Sequence, residues 1–427
     1  MSRRPRLGAQ GRAAALTVVA FACFALRPAA AAPAAPVWVQ YGPEGRAEVR
    51  AVVRGGTCPM LRIDGGARAM DLRAAPSSDF PRVCAAELPP DARHASVFGR
   101  ALALPVAHPH RILVIGDTGC RIKGGAVQDC NDPRQWPFAR LAAEAARLRP
   151  DLIIDLGDYL YRESACPTGD RRCAGSPHGD HFATWRADFF APAAPLLAAA
   201  PWVLVRGNHE DCQRAGEGWL RMMGPQPFMA DARCATHLPP YTVPIGRINL
   251  VVMDDADAPD TRVAADAVAA HAREFAALAQ SPAPTWLLMH RPIWGAISGP
   301  LDVPVGGNRT LIAALGRSGV PAPVELMLAG HIHAFEILNY AGAQRAPAQL
   351  IAGFGGDRLD RTPENLAGTW FQGGSAVRVA SGESIPGFGF VMLRAGDRGW
   401  AIDVHDVDGR IERRCWFREQ RLGCAPL

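Results

Sequence analysis

The stretch Asp151-Leu-Ile-Ile-Asp-Leu-Gly-Asp-Tyr-Leu-Tyr161 (DLIIDLGDYLY) is an apolar run that ends in a glycine, an acid and a tyrosine. A short run of this kind, with little polar alternation, reads as a strand buried on both faces. The form recurs at RILVIGD (111–117), WVLVRGNHE (202–210), INLVVMDD (248–255), TWLLMH (285–290) and VELMLAGHIH (324–333). Helical patterns lie between these runs, at PFARLAAEAARLRP (137–150), ADFFAPAAPLLAAA (187–200) and AADAVAAHAREFAALAQ (264–280). Buried strands separated by helices predict an α/β fold with helix-covered sheets. After residue 348 the runs QLIAGFGG, GFVMLRA and WAIDVHDVDG lack helices and read as closing strands.

Upstream the pattern changes. Residues 37–104 hold short alternating runs (VWVQY, AEVRAVV, MLRI, ASVFG) broken by Gly and Pro, which predicts a small all-β module. The proline-bounded segment 105–109 marks the transition to a larger domain over 107–427.

Residues 1–32 read as a secretory signal peptide. MSRRPR is a basic start, Ala13 to Leu26 an apolar run too short to span a membrane, and RPAAAAP a small-residue cleavage region. Arg6 stands where a twin-arginine signal has an apolar residue. The 427-residue chain carries a formal charge of +5, and the leader holds five Arg and no acid, so the remainder is near neutral. That balance argues against a nucleic-acid partner. Ten cysteines follow the leader, in sequential couples 58/84, 120/130, 166/173, 212/234 and 415/424. Five local disulfides are the simplest reading, because no C-x-x-C spacing supports a zinc or iron–sulfur site. Export to the periplasm or the medium is therefore expected.

Five apolar runs deliver polar groups of one kind: Asp117, Asp158, Asn208-His209, His290 and His331-x-His333. Ligands bind beyond the carboxyl ends of strands in α/β sheets, so these groups reach one edge. Singly each is weak, since a strand-end Asp more often caps a turn and a lone His more often sits satisfied in a core. Gly116, Gly157, Gly207 and Gly330, each directly before a polar residue, make a stronger case, because glycine permits a sharp exit and close backbone approach. Two Asp, an Asn, three His and a Tyr suit two adjacent cations of hard or borderline character. Paired metals clamp an in-line displacement at phosphorus.

GDTG (116–119), GDYLY (157–161), GNHE (207–210), LLMH (287–290) and GHIH (330–333) resemble the motifs of calcineurin-like metallophosphoesterases, and within them the purple acid phosphatase pattern. In the wider family the first motif is Asp-x-His; here Gly119 takes the His position and Tyr161 supplies the replacement donor. The resemblance implies a two-sheet β-sandwich flanked by helices. It also implies Fe(III) held by Asp117, Asp158, Tyr161 and His333, and Fe(II), Zn or Mn held by bridging Asp158, Asn208, His290 and His331. A phenolate suits a ferric ion independently, since a trivalent cation deprotonates tyrosine far below its free pKa. His209 would protonate the leaving group, with Glu210 orienting it, after attack by a metal-bound hydroxide. Arg206 and Arg291 flank donors and are candidate phosphate contacts, although each could equally be an ordinary surface arginine. Tyr159 is expected to be structural. Substrates would be small-molecule or nucleotide phosphate esters, monoesters first. A phosphodiesterase or nucleotidase with the same metals, and a catalytically silent metal-dependent binding protein, are the alternatives. The oligomeric state is not legible.

Overall fold

In the computed structural model the strand Arg111–Ile115 is flanked on one side by Leu152–Asp155, to which it runs parallel, and on the other by Phe390–Gly396, antiparallel. Its side chains alternate: Ile112 and Val114 enter one apolar cluster, Leu113 and Ile115 another. Both faces are therefore buried, which is why the run is apolar without alternation. The structure describes residues 1–2, 35–230, 233–299, 304–371 and 377–425. The leader expected over 1–32 lies almost wholly outside the described residues.

Ala35–Leu427 is one compact unit built on two sheets. The first has eleven strands; Leu152–Asp155 and Trp202–Leu204 follow Arg111–Ile115 in the order, and four C-terminal strands close its other end. The second has seven strands, with Ile248–Val252, Thr285–Leu288, Val324–Ala329 and Ala348–Ala352 parallel at its centre. Val114, Ile154 and Val203 of the first sheet share one cluster with Leu250, Leu288, Leu328 and Leu350 of the second. This is the core of a β-sandwich.

Helices cover the outer faces. Phe138–Arg147 buries Phe138, Leu141, Ala142 and Ala145, the i, i+3, i+4, i+7 stripe of an amphipathic helix, against the first sheet. Ala265–Leu278 and Arg309–Leu315 cover the second. The N-terminal module is all-β apart from a short turn at Pro43–Gly45. Val37–Tyr41 joins the first sheet by pairing parallel to Trp202–Leu204, and Ala47–Val53, Arg82–Leu88 and Asp71–Ala74 extend that sheet outward. Met60–Ile63, Gly66–Ala69, Ala95–Val97 and Arg100–Ala101 form a small sheet of their own. All five cysteine couples are disulfides. Among the described residues no helix is long and apolar enough to cross a membrane.

One buried acid stands apart in this apolar frame. Glu336, on the strand Phe335–Gly342, is fully buried; Ala296 N–H donates to its Oε2 while Oε1 has no hydrogen-bond partner. Burial, with Asp360 adding, pushes its pKa up from 4.5 to about 8. The folded state thus holds a proton that the unfolded chain releases above pH 4.5. Its contribution is fully present below 4.5 and is lost as pH rises through 8. Glu336→Gln should therefore gain stability over the native chain progressively from pH 5 to pH 8, read by urea unfolding at each pH.

Candidate metal centre

The turns that leave the strands converge at one end of the sandwich. Asp117, Asp158 and His331 adopt positive φ, at 57°, 60° and 67°, which is uncommon for residues with a side chain. Long-range bonds hold them there. Asp117 N–H donates to Gly157 O at 2.9 Å, Thr118 N–H to Asp158 O at 3.1 Å, and His331 N–H to Asp117 Oδ2 at 2.9 Å. Backbone strain of this kind gathers at functional sites.

The phenol of Tyr161 is fully buried, and its oxygen lies 2.9 Å from each of Asp117 Oδ1, Asp158 Oδ2 and His333 Nε2. Asp158 Oδ2 also lies 3.2 Å from His290 Nε2, whose other neighbour is Asn208 Oδ1 at 3.1 Å. Asp158, His290 and His331 offer donor atoms all within 4.8 Å of one another. Two groups of donors therefore meet at one carboxylate. Behind them, His290 Nδ1 is fixed by Leu156 O at 2.8 Å and His333 Nδ1 by Arg358 O at 2.9 Å, which leaves each Nε2 facing inward.

Charge is densely packed here. Burial would raise Asp158, but His290 and His209 hold it well below the usual carboxylate range. Burial lowers His290, and Asp158 overrides it, carrying the imidazole up to about 9. Burial together with Asp117 and Asp158 pushes the Tyr161 phenol well above its ordinary value. Buried carboxylates, a phenol and imidazoles turned toward one another are what a cation pair needs, and cations held there would reverse the sign of the phenol's shift.

Gly119 explains the first motif. A Cβ there would sit 2.8 Å from Tyr161 Cδ2 and 2.8 Å from Tyr159 O. The imidazole of the wider family and the phenol of this chain cannot both be accommodated. Tyr159 turns away, donating to Val205 O at 2.9 Å and stacking on Trp219.

His209 packs against Tyr161 with ring centroids 3.9 Å apart and planes tilted by 39°, and its Nε2 lies 3.8 Å from Asp158 Oδ2. The orienting role expected of Glu210 is corrected. Glu210 accepts the backbone N–H groups of Gly207, Asp158, Tyr159 and Leu160 and so clamps two of the turns together. Glu163 takes the place at His209, its Oε1 2.7 Å from Nδ1, and it also pairs with Arg214. Arg206 is corrected too. It is 2% exposed, donates to Glu210 O, Ala235 O and Asp254, and turns Nη2 toward the Cys212–Cys234 sulfurs, so it faces the protein and not the donors. Arg291 does border the donors, with Nη1 3.1 Å from His331 Nε2 and paired to Asp260.

Sequence reasoning passed over Glu163, Arg214, Asp255, Asp260 and Asp357. Asp255 accepts the N–H groups of His290 and Arg291, and Asp260 Oδ2 lies 2.9 Å from His331 Nε2. Asp357 lies 3.3 Å from His333 Nδ1 and pairs with Arg121. Asp255 carried a usable signal, ending the run INLVVMDD as Asp158 ends its own.

A two-sheet sandwich with His, Asp, Asn and Tyr converging on a shared carboxylate defines a metal-dependent hydrolase of the phosphoesterase class. The chain belongs to the calcineurin-like phosphoesterase family, whose pattern matches residues 110–335, more than half of its length. The family implies a binuclear metal site. No curated protein matches the chain. Among solved structures it is similar to purple acid phosphatase PPD1 from yellow lupin (Lupinus luteus) seeds, with 14% identity and TM-score 0.55, over 88% of this chain and 73% of that one. It is likewise similar to PhoD, with 12% identity and TM-score 0.53, over 92% of each chain. At such identities the likeness is one of fold.

Gly119→Ala should force Tyr161 off the point where it meets Asp117, Asp158 and His333. Overpacking of this kind costs about 1–3 kcal/mol. The expected result is a lower melting temperature and reduced retained metal, measured by calorimetry and elemental analysis.

Proposed function

We propose that this chain is an exported, acid-phosphatase-like enzyme that hydrolyses phosphate monoesters with a binuclear metal centre. The observation that carries this reading is the Tyr161 oxygen lying 2.9 Å from Asp117, Asp158 and His333. A phenol in that place favours a ferric ion, which Asp117, Asp158, Tyr161 and His333 would hold, while Asp158, Asn208, His290 and His331 would hold Fe(II), Zn or Mn. When bound, such a pair activates water and neutralises charge on the phosphoryl oxygens.

The chain's own residues then supply orientation and a proton. Glu163 at Nδ1 sets the ring of His209 so that Nε2 faces the donors, where a leaving oxygen would take its proton. Arg214, which donates to Glu163 and Asn208 O and lies 2.9 Å from Nε2, braces the ring, and Arg291 beside His331 is the cation that would meet phosphate oxygens. The five disulfides suit an oxidising compartment and support the reading of residues 1–32 as an export signal.

An absorption spectrum with metal analysis tests the centre. Native protein should show a visible phenolate-to-iron band that Tyr161→Phe lacks; a colourless, iron-free yet active enzyme would refute the ferric assignment. Paired assays should show faster turnover of a chromogenic phosphomonoester than of the corresponding diester, and the reverse would favour the diesterase reading.

The proton donor makes a pH prediction. Burial lowers the His209 pKa to about 4, against the raising effects of Asp158 and Glu163. The protonated fraction falls as pH rises through that value, so kcat/KM should decline from acid toward neutral pH. Glu163→Gln removes one of the raising effects and should move the declining limb to still lower pH with metal content unchanged.

A further inference from the structure

A second cluster of metal-ligating side chains lies outside the centre just described. His237, in the segment that precedes the strand Tyr241–Ile245, meets His271 and Glu274 of the helix Ala265–Leu278 and Asp257 of the loop that follows Ile248–Val252. His237, His271 and Glu274 offer donor atoms all within 4.8 Å of one another. His271 and Glu274 are three residues apart and therefore share a helix face.

The arrangement is ordered. Glu274 Oε1 lies 2.6 Å from His237 Nε2, and its Oε2 2.9 Å from His271 Nδ1. One carboxylate thus takes one nitrogen of each ring. The other two nitrogens, His237 Nδ1 and His271 Nε2, both face Asp257 Oδ1 at 3.4 Å. That is long for a hydrogen bond between ionised groups, which run about 2.7–2.9 Å. It matches the edge of a tetrahedral site, roughly 3.3–3.4 Å for metal–ligand bonds of ~2.0–2.1 Å. His271 is fully buried, and its Nε2 has no hydrogen-bond partner. A buried imidazole nitrogen left open toward a carboxylate, with its opposite nitrogen held by a second carboxylate, is the orientation a metal-bound histidine takes.

We infer that His237, His271 and Asp257 bind a third metal ion, a divalent cation of zinc character, with Glu274 orienting both imidazoles from the far side. Two imidazoles with a carboxylate favour Zn(II) over the oxygen-only cations Ca(II) and Mg(II). The role is structural. The loop that carries Asp257 also carries Asp255, which accepts the N–H groups of His290 and Arg291, and Asp260, which faces His331. The segment ending at His237 is tied by Cys234 to Cys212, two residues beyond Glu210. An ion at this point would pin the loop, the helix and the disulfide-bearing segment together behind the phosphoesterase centre.

Elemental analysis of the full chain, dialysed against trace Zn(II), tests this without turnover. In an Asp158→Asn background, which removes the bridging carboxylate of the first centre, about one tightly held zinc per chain should remain. Adding His237→Gln should abolish it. Glu274→Gln is a second variant should His237→Gln fold poorly, and it should lower zinc occupancy at least tenfold. Co(II) added to chelator-treated Asp158→Asn protein should give tetrahedral d–d bands that His237→Gln lacks. Equal zinc content and identical cobalt spectra with and without His237 would overturn the inference and leave the cluster a network of ion pairs only. Because both readouts use the Asp158→Asn background, they do not depend on the activity proposed for the first centre.

Discussion

Everything at the functional end of this protein is organised around buried negative charge. Asp117, Asp158, Glu210, Asp255 and Asp357 are all nearly or fully inaccessible within one region. An isolated carboxylate in such surroundings would neutralise itself or unfold its site. The chain answers in two ways. Backbone N–H groups are aimed at the outer acids, four at Glu210 and two at Asp255. Imidazoles and the Tyr161 phenol are aimed at Asp117 and Asp158, where the cation pair that the family implies would complete the balance.

The two sheets make this concentration possible. Parallel strands at the centre of each deliver their carboxyl ends to the same side, and the common apolar cluster locks one sheet against the other. Turns from the first sheet carry Asp117, Asp158 and Asn208; turns from the second carry His290, His331 and His333. The centre is thus a seam between sheets, and its geometry depends on their packing as much as on any local turn.

Much of this was legible beforehand for a physical reason. Strands buried on both faces must be apolar throughout, so their limits stand out, and a glycine before a polar residue marks a turn where backbones approach closely. The exchange of Gly119 for Tyr161 was visible as a departure from a pattern, and the 2.8 Å approach to the phenol ring explains it sterically. Glu210 and Arg206 were misread because adjacency to Asn208 and His209 suggested shared chemistry. In the folded chain Glu210 points back into its own turns and Arg206 into the protein, while Glu163 arrives from a different segment.

The sequence by itself determined the layered fold class and made five local cysteine couples and a set of candidate donors legible, because these follow from local hydrophobic pattern, an even cysteine count and side-chain chemistry. Tertiary structure decided which groups support those donors, how the N-terminal strands join the first sheet, and that His237, His271, Asp257 and Glu274 meet at all. Such contacts join segments tens to hundreds of residues apart, and their directions depend on strand register and sheet packing, which no local pattern encodes.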